Sequence, residues 1–295
     1  MPQSLYLTFV KSKGNESMFT LNCKGRLLVI DKPVVMGIIN VTPDSFYSGS
    51  RKSLLDEVLL QAEKMINEGA AIIDIGGQST RPGSEDVGIE EELSRVIPAV
   101  EAISQRFPDS FISIDTYHSK VALKAVNAGA SLVNDISSGT LDEQMMQVVG
   151  SLHVPYIAMH MKGRPKTMHQ HAQYDNVTLE ILDFFIRKTE ECSEAGINDM
   201  IIDVGFGFAK TIAHNFTLLK NLSVFKILQK PLLVGLSRKA TIYKTLGVTP
   251  EEALNGTTVL NTISLLNGAN ILRVHDVKEA VETVKLVEEM RSLSH

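Results

Sequence analysis

The chain has 295 residues, 44% of them hydrophobic, which is enough for one large core or two modest ones. Its 29 Lys and Arg against 34 Asp and Glu give a net charge of -5, so composition offers no electrostatic reason to expect nucleic acid. No apolar run approaches the ~20 residues of a membrane helix, no secretory-type signal opens the chain, and Cys23 and Cys192 have neither metal-ligand nor disulfide-framework spacing, which points to a soluble protein of the cytoplasm.

Leu5–Val10 and Phe19–Ile30 read as short antiparallel strands, with a turn at Asn22-Cys23-Lys24-Gly25 where glycine supplies positive φ. A hairpin within residues 1–33 is suited to cover the N-terminal end of a barrel. From Val34 the rhythm becomes apolar strand, polar loop, amphipathic helix. The strand candidates are Val34–Ile39, Ala71–Ile75, Phe111–Ile114, Ser131–Val133, Pro155–Met159, Met200–Ile202, Leu232–Val234 and Ile271–Leu272. The helix candidates are Leu54–Glu68, Ile89–Arg106, Ser119–Ala128, Asp142–Val149, Val177–Ala195, Ile212–Lys230, Pro250–Leu266 and Val277–Met290. Thr249-Pro250-Glu251-Glu252 carries a capping threonine, an N1 proline and an N3 glutamate at one helix start. This alternation predicts an α/β fold, a TIM (β/α)8 barrel over residues 34–295 with an N-terminal β-hairpin extension. A doubly wound open sheet is the rival, but it draws its site from fewer strands, and neither GxGxxG nor GxxxxGK[ST] is present.

Polar groups follow the apolar runs along the whole length. Asn40 offers a neutral oxygen to a hard cation or an amide donor to a phosphate. Gly76-Gly77-Gln78-Ser79-Thr80-Arg81 combines close backbone approach, hydroxyls and a guanidinium able to grip an anion with two hydrogen bonds. Asp115 and Asp203 end very apolar runs, where a carboxylate needs partners. With Asn134 they suit the N–H groups of a guanidine-like ring edge, although a structural network at the strand ends is the competing reading. Asp74, inside its apolar run, is suited to organise its neighbours. Ser237-Arg238-Lys239 and Arg273-Val274-His275 come from late strands, where barrels often bind phosphate, and Arg273 and His275 are spaced to face one side. Met159-His160-Met161 suits a pocket wall. There is no HExxH or GxSxG pattern, so the inventory favours holding a polar heterocycle and an anionic leaving group over zinc or covalent chemistry.

The segments MGIINVTPDSF, DIGGQSTRPG, SIDT, NDISS, MHMKG, DVGFGF, GLSRK and RVHDVKE, in this order, resemble the dihydropteroate synthase family. The resemblance spans about Val34 to Glu289. It implies condensation of 4-aminobenzoate with (7,8-dihydropterin-6-yl)methyl diphosphate to give 7,8-dihydropteroate and diphosphate, in folate synthesis, on a pterin-binding TIM barrel. By motif it implies Asn40 near Mg²⁺ and the diphosphate, with Arg273 and His275 on that anion. Asp115, Asn134, Asp203 and Lys239 are implied to hold the pterin, with Met159 on its wall. Thr80, Arg81, Phe208 and Ser237 are implied for aminobenzoate. A homodimer through the late helices is also implied. Two positions depart from the family pattern: Gln78 stands where glutamate is common, and Val204 where proline is common. The alternatives are a folate-binding domain that passes a methyl group to a corrinoid partner, and a barrel that binds pterin without turnover.

Overall fold

The computed structural model describes residues 18–42, 51–78 and 87–293. The expected Leu5–Val10 strand, the loop after Thr42, and Thr80 and Arg81 lie outside them. Two antiparallel strands come first, β1 (Phe19–Cys23) and β2 (Arg26–Ile30), turning at Lys24-Gly25 with both residues at positive φ. Asn22 closes this turn by accepting the Gly25 N–H, 2.7 Å.

The strands β3 (Val34–Asn40), β4 (Ile72–Gly76), β5 (Phe111–Asp115), β6 (Leu132–Asp135), β7 (Tyr156–Met159), β8 (Met200–Asp203), β9 (Leu232–Val234) and β10 (Ile271–Val274) are all parallel. They close on themselves because β10 pairs with β3, which excludes the open doubly wound sheet. Strand periodicity of two then sorts their residues. Outward residues such as Ile39, Ile73, Ile75, Ile114 and Val133 enter the main core with the helices. Inward residues at the N-terminal ends are Met36, Ile72, Leu132, Ile157, Ile201, Leu233 and Ile271, and they form a second apolar cluster with Leu21, Cys23, Leu28 and Ile30 of the hairpin. The hairpin therefore plugs the barrel bottom. It is pinned there by Asn22 N–H on Asp199 (2.8 Å), by Arg26 on the carbonyls of Pro108 and Ser110, and by Lys24 on that of Val126.

The helices α1 (Arg51–Asn67), α2 (Ile89–Arg106), α3 (Ser119–Ala128), α4 (Met145–Leu152), α5 (Val177–Glu194), α6 (Ile212–Lys220), α7 (Ala240–Leu246), α8 (Leu254–Leu266) and α9 (Val277–Ser292) pack outside. On α2 the buried Glu92, Val96, Ala99, Val100 and Ile103 recur at helical spacing, with Glu90 and Glu91 exposed at its start. Asn176 caps α5 by accepting the N–H groups of Thr178 and Leu179.

Three helix expectations need correction. The helix expected from Asp142 starts at Met145, because the Asp142 carboxylate accepts the N–H groups of Ser119 and Gln144. The long helix expected over Ile212–Lys230 stops at Lys220 and continues as a 3-10 segment, Leu222–Leu228. The helix expected from Pro250 starts at Leu254, and α7 precedes it. Glu252 does reach back to the Thr249 N–H (3.0 Å), but Arg238 occupies the carbonyls of Pro250 and Glu251, so this stretch remains a turn.

Candidate active site at the barrel mouth

Strand register builds the mouth. Asn40, Gly76, Asp115 and Asn134 are successive partners across β3, β4, β5 and β6, one row at the C-terminal end of the barrel. Asn40, Asp115, Asn134, Asp203 and Arg273, expected just beyond their apolar runs, fall within the strands, whereas His160, Ser237 and His275 lie past the strand ends. Asp74 and Ser113, also register partners, lie on the same inward face two residues deeper. Both are fully buried, and Asp74 Oδ1 and Ser113 Oγ have no hydrogen-bond partner. Such buried atoms are uncommon, and here they leave hydrogen-bonding capacity in the floor of the mouth.

Arg273 ties the row together. Its Nε donates to Asp74 Oδ2 and its Nη2 to Asp115 Oδ2, both at 2.6 Å, while Asn134 Nδ2 donates to Asp74 Oδ2 at 3.0 Å. Asp74 thus organises its neighbours as the sequence suggested. Burial raises the Asp115 carboxyl above the ordinary carboxylate range; Arg273 opposes this and the nearby Asp74 adds to it. Desolvation outweighs the one guanidinium that the two carboxylates share. These two bonds use two of the five N–H donors of Arg273.

The opposite side is built by the loop after β8. Asp203 Oδ1 accepts the Gly205 N–H at 2.8 Å. Burial raises its carboxyl too, opposed first by Lys239. Lys239 donates to the Phe206 carbonyl (2.7 Å) and lies 4.8 Å from the centre of the Phe208 ring. Burial lowers the Lys239 ammonium to about 8, with Asp203 opposing. Gly205 and Gly207 have φ of 72° and 83°; a Cβ on Gly205 would collide with the His160 carbonyl, and one on Gly207 would crowd the Lys239 stem. Met159 and Phe208 share a small apolar cluster with Ile136, Met168 and Ala209, forming the apolar wall.

Ser237 and His275 form a third group. The His275 N–H donates to Ser237 Oγ at 3.2 Å, and that oxygen lies 3.1 Å from His275 Nδ1. His275 is exposed at the rim, whereas Arg273, two residues earlier, is inside. Arg238 does not join the basic group. Its guanidinium grips Asp276 through two bonds of 2.8 Å while its own φ is 54°. Asp135 also turns away: it accepts from Ser137, Gly139 and Tyr156 on the outer face of the barrel.

Asn40 Oδ1 borders the small gap left by Gly76, beside the Asp115 oxygen that accepts from Arg273. A Cβ placed on Gly76 would lie 3.6 Å from Asn40 Oδ1 and 3.7 Å from Asp115 Oδ2, so the glycine keeps open a space flanked by a neutral and a carboxylate oxygen. Among the described residues no group of three His, Cys, Asp or Glu could hold a metal. A magnesium ion here would therefore take most of its oxygens from an anion and water, which is its usual habit with phosphates.

Sequence reasoning missed two groups. Gln78 Nε2 donates to the buried Glu92 on α2 (2.6 Å), and its Oε1 accepts from Tyr117 (2.8 Å). An amide meets both demands at once, and burial raises the Glu92 carboxyl. This explains glutamine at position 78, since a glutamate there needs a proton to make the same pair. Val204 simply packs into the main core. The second group is Lys210, buried, with Nζ on the carbonyls of Gly205 (2.9 Å), Phe208 (3.0 Å) and His160 (3.2 Å) and 3.1 Å from His160 Nδ1. Its signal was a lysine two residues after the DVGFGF segment, but its partner at His160 is 50 residues away.

The sequence profile of the family described as "Pterin binding enzyme" matches residues 36–275. The dihydropteroate synthase of Escherichia coli K12 is 45% identical over 270 residues, 91% of this chain and 95% of that one. A Yersinia pestis dihydropteroate synthase crystallised as a sulfonamide drug complex superposes with a TM-score of 0.87 at 43% identity, covering 93% of this chain and 100% of that one. The Xanthomonas albilineans enzyme with 4-aminobenzoic acid gives 0.87 at 37% identity, covering 93% and 98%.

Proposed function

This chain belongs to the pterin binding enzyme family as a dihydropteroate synthase of folate biosynthesis, and from that premise we propose how its barrel mouth carries out the reaction. The observation that carries the reading is the polar row itself. Asp115, Asn134 and Asp203 lie inward beside Lys239, while Met159 and Phe208 supply an apolar wall. The pterin's guanidine-like edge donates to Asp203 and to the Asp115–Asn134 side, and the unpartnered Asp74 Oδ1 and Ser113 Oγ give the floor further polar capacity. Its diphosphate meets the remaining donors of Arg273 and the His275 rim. Asn40 and the oxygens of the diphosphate would hold Mg²⁺, which would supply charge neutralisation to the leaving group.

The C–O bond between the exocyclic methylene and diphosphate breaks, and the electron pair leaves with diphosphate. Arg273 and His275 stabilise that charge as it grows. The buried carboxylates Asp115 and Asp203 favour the cationic pterin electrostatically. The amine of 4-aminobenzoate attacks the methylene, a C–N bond forms, and the nitrogen loses its proton to water. Phe208 and Ser237, with Thr80 and Arg81, hold the aminobenzoate. No protein nucleophile enters. Transfer of a methyl group to a corrinoid partner would not call for the combined Lys239, Arg273 and His275 equipment.

We place the reaction in the cytoplasm. Both cysteines are buried and free, and no helix among the described residues is long and apolar enough to cross a membrane. The exposed Val259 and Leu266 on α8, with Leu286 and Met290 on α9, offer an apolar face to a second copy of the chain. Light scattering across concentration tests that homodimer, and a monomeric mass throughout rejects it. The activity test is incubation with pterin diphosphate, 4-aminobenzoate and Mg²⁺. 7,8-Dihydropteroate and diphosphate should appear in equal amounts; pterin binding with neither product rejects turnover.

A further inference from the structure

The loop after β8 follows Asp203 and carries Phe208 to the apolar wall of the mouth, yet it is short and glycine-rich. Two of its glycines sit at positive φ, and so does Ala209, at 49°. Inside the segment, the Gly205 N–H donates to Asp203 and the Phe208 N–H to the Gly205 carbonyl; outside it, Asn215 accepts the Gly207 N–H and Tyr174 donates to the Ala209 carbonyl. Two lysines also hold its carbonyls. Lys239 takes Phe206, and Lys210 takes Gly205 and Phe208. Lys239 also faces the mouth, beside the Phe208 ring and within the field of Asp203 and Arg273. Lys210 also lies within the field of Asp203 and Lys239. Its remaining contacts are the carbonyl and Nδ1 of His160, at the end of β7. Four acceptors surround one ammonium with three protons, and none of them is a carboxylate. Strong burial keeps the His160 imidazole neutral, so its Nδ1 is able to accept. The His160 ring is itself fixed edge-on against Phe184 of α5, 4.9 Å between centres.

We propose that Lys210 is a positioning residue for the reaction: its ammonium staples the β8 loop to the end of β7, fixing the Phe208 ring and the Gly205 N–H that orients Asp203. The assignment rests on the proposed roles of Phe208 with aminobenzoate and Asp203 with pterin. It goes beyond them because Lys210 touches neither ligand. The purpose of the staple is pre-organisation, since a loop with three left-handed residues needs external anchors to keep one geometry. The two substrates are met by the two ends of the stapled segment, so loosening it weakens both, with the larger effect on aminobenzoate. Phe208 is held by a turn bond from its N–H to the Gly205 carbonyl, by its own carbonyl and by its side chain, whereas Asp203 remains in the ladder of β8.

Steady-state kinetics on Lys210→Met, His160→Gln, Phe208→Ala and Asp203→Asn test this, with each concentration corrected to the folded fraction. Lys210→Met should raise KM for 4-aminobenzoate about tenfold and KM for the pterin diphosphate about threefold. His160→Gln removes one of four acceptors and should shift the aminobenzoate KM the same way by about twofold. A merely structural lysine would lower the melting temperature and the folded fraction but leave both KM values at wild type, and that result overturns the proposal. If Lys210→Met does not fold, His160→Gln decides, and unchanged KM values again overturn it. Phe208→Ala and Asp203→Asn separate the two levels. If they leave KM unchanged, the ligand roles themselves are wrong. If they raise KM while Lys210→Met does not, only the staple is wrong.

Discussion

The bottom and the mouth of this barrel are made by the same strands, a few residues apart, from opposite chemistry. At the bottom, Met36, Ile72, Leu132, Ile157, Ile201, Leu233 and Ile271 meet four apolar residues of the hairpin, and no ionisable side chain other than Cys23 enters that cluster. One or two pleats along, the inward positions become Asp74, Asn134, Asp203 and Arg273, then Asn40, Asp115 and His275. The bottom is satisfied by itself: its side chains need only one another, and the hairpin's polar groups find backbone carbonyls outside. The mouth contains carboxylates raised by burial, an amine lowered by it, and two polar atoms with no partner. Stability is concentrated where chemistry is absent, which is the division expected of this architecture.

Breaking the mouth at its hub should give the largest effect. Arg273→Ala leaves Asp74 and Asp115 buried without their guanidinium, a change that destabilises by about 3–5 kcal/mol when a buried pair loses one member. Binding of both free diphosphate and the pterin diphosphate should be lost, measured by calorimetry on the folded fraction. Retained diphosphate affinity would remove Arg273 from the anion site.

At the other end, Ile30→Ala should destabilise by about 2–5 kcal/mol, the range for truncating a buried isoleucine. Here the expected outcome is a lower melting temperature with KM values unchanged for both substrates. A changed KM would mean that the hairpin is coupled to the mouth.

Asp203→Asn sharpens the contrast, because it should do the reverse. Loss of a charged hydrogen bond to pterin should weaken transition-state binding by about 1.5–3 kcal/mol in kcat/KM for the pterin diphosphate, with little change in melting. An equal effect on kcat/KM for 4-aminobenzoate at saturating pterin would argue against a pterin contact.

The smallest effect is a pH dependence. Lys239 is lowered to about 8, so its charge is present below that pH and is lost above it. In the free enzyme, kcat/KM for the pterin diphosphate should fall above about pH 8 by about tenfold per unit. Lys239→Arg should remove this alkaline limb while lowering the plateau. A limb that persists in the arginine variant belongs to another group.

The closed barrel was readable because each strand is a short apolar run with a polar residue at its end, and burial imposes that pattern on a chain whatever its reaction. Asn40, Asp115, Asn134, Asp203 and Arg273 were readable for the same reason. Their pairing was not. That Arg273 would meet Asp74 and Asp115, 199 and 158 residues away, follows from register, which no single strand's sequence encodes. Arg238 shows the converse. It lies in the same run as Lys239, yet a left-handed backbone turns it to Asp276, so sequence proximity suggested an anion role that geometry removes. Lys210 was legible only as a lysine near the DVGFGF segment, because the three carbonyl oxygens it binds carry no sequence signature. The start of α8 was misplaced because a capping pattern is local, whereas the Arg238 contacts that hold Pro250 and Glu251 in a turn are not.

The most direct measurement is kcat/KM for the pterin diphosphate per folded molecule, taken side by side for wild type, Ile30→Ala and Asp203→Asn in the presence of 4-aminobenzoate and Mg²⁺. Wild type and Ile30→Ala should agree, and Asp203→Asn should fall by about tenfold or more. A normal Asp203→Asn beside an impaired Ile30→Ala would contradict the assignment of chemistry to the mouth and stability to the bottom.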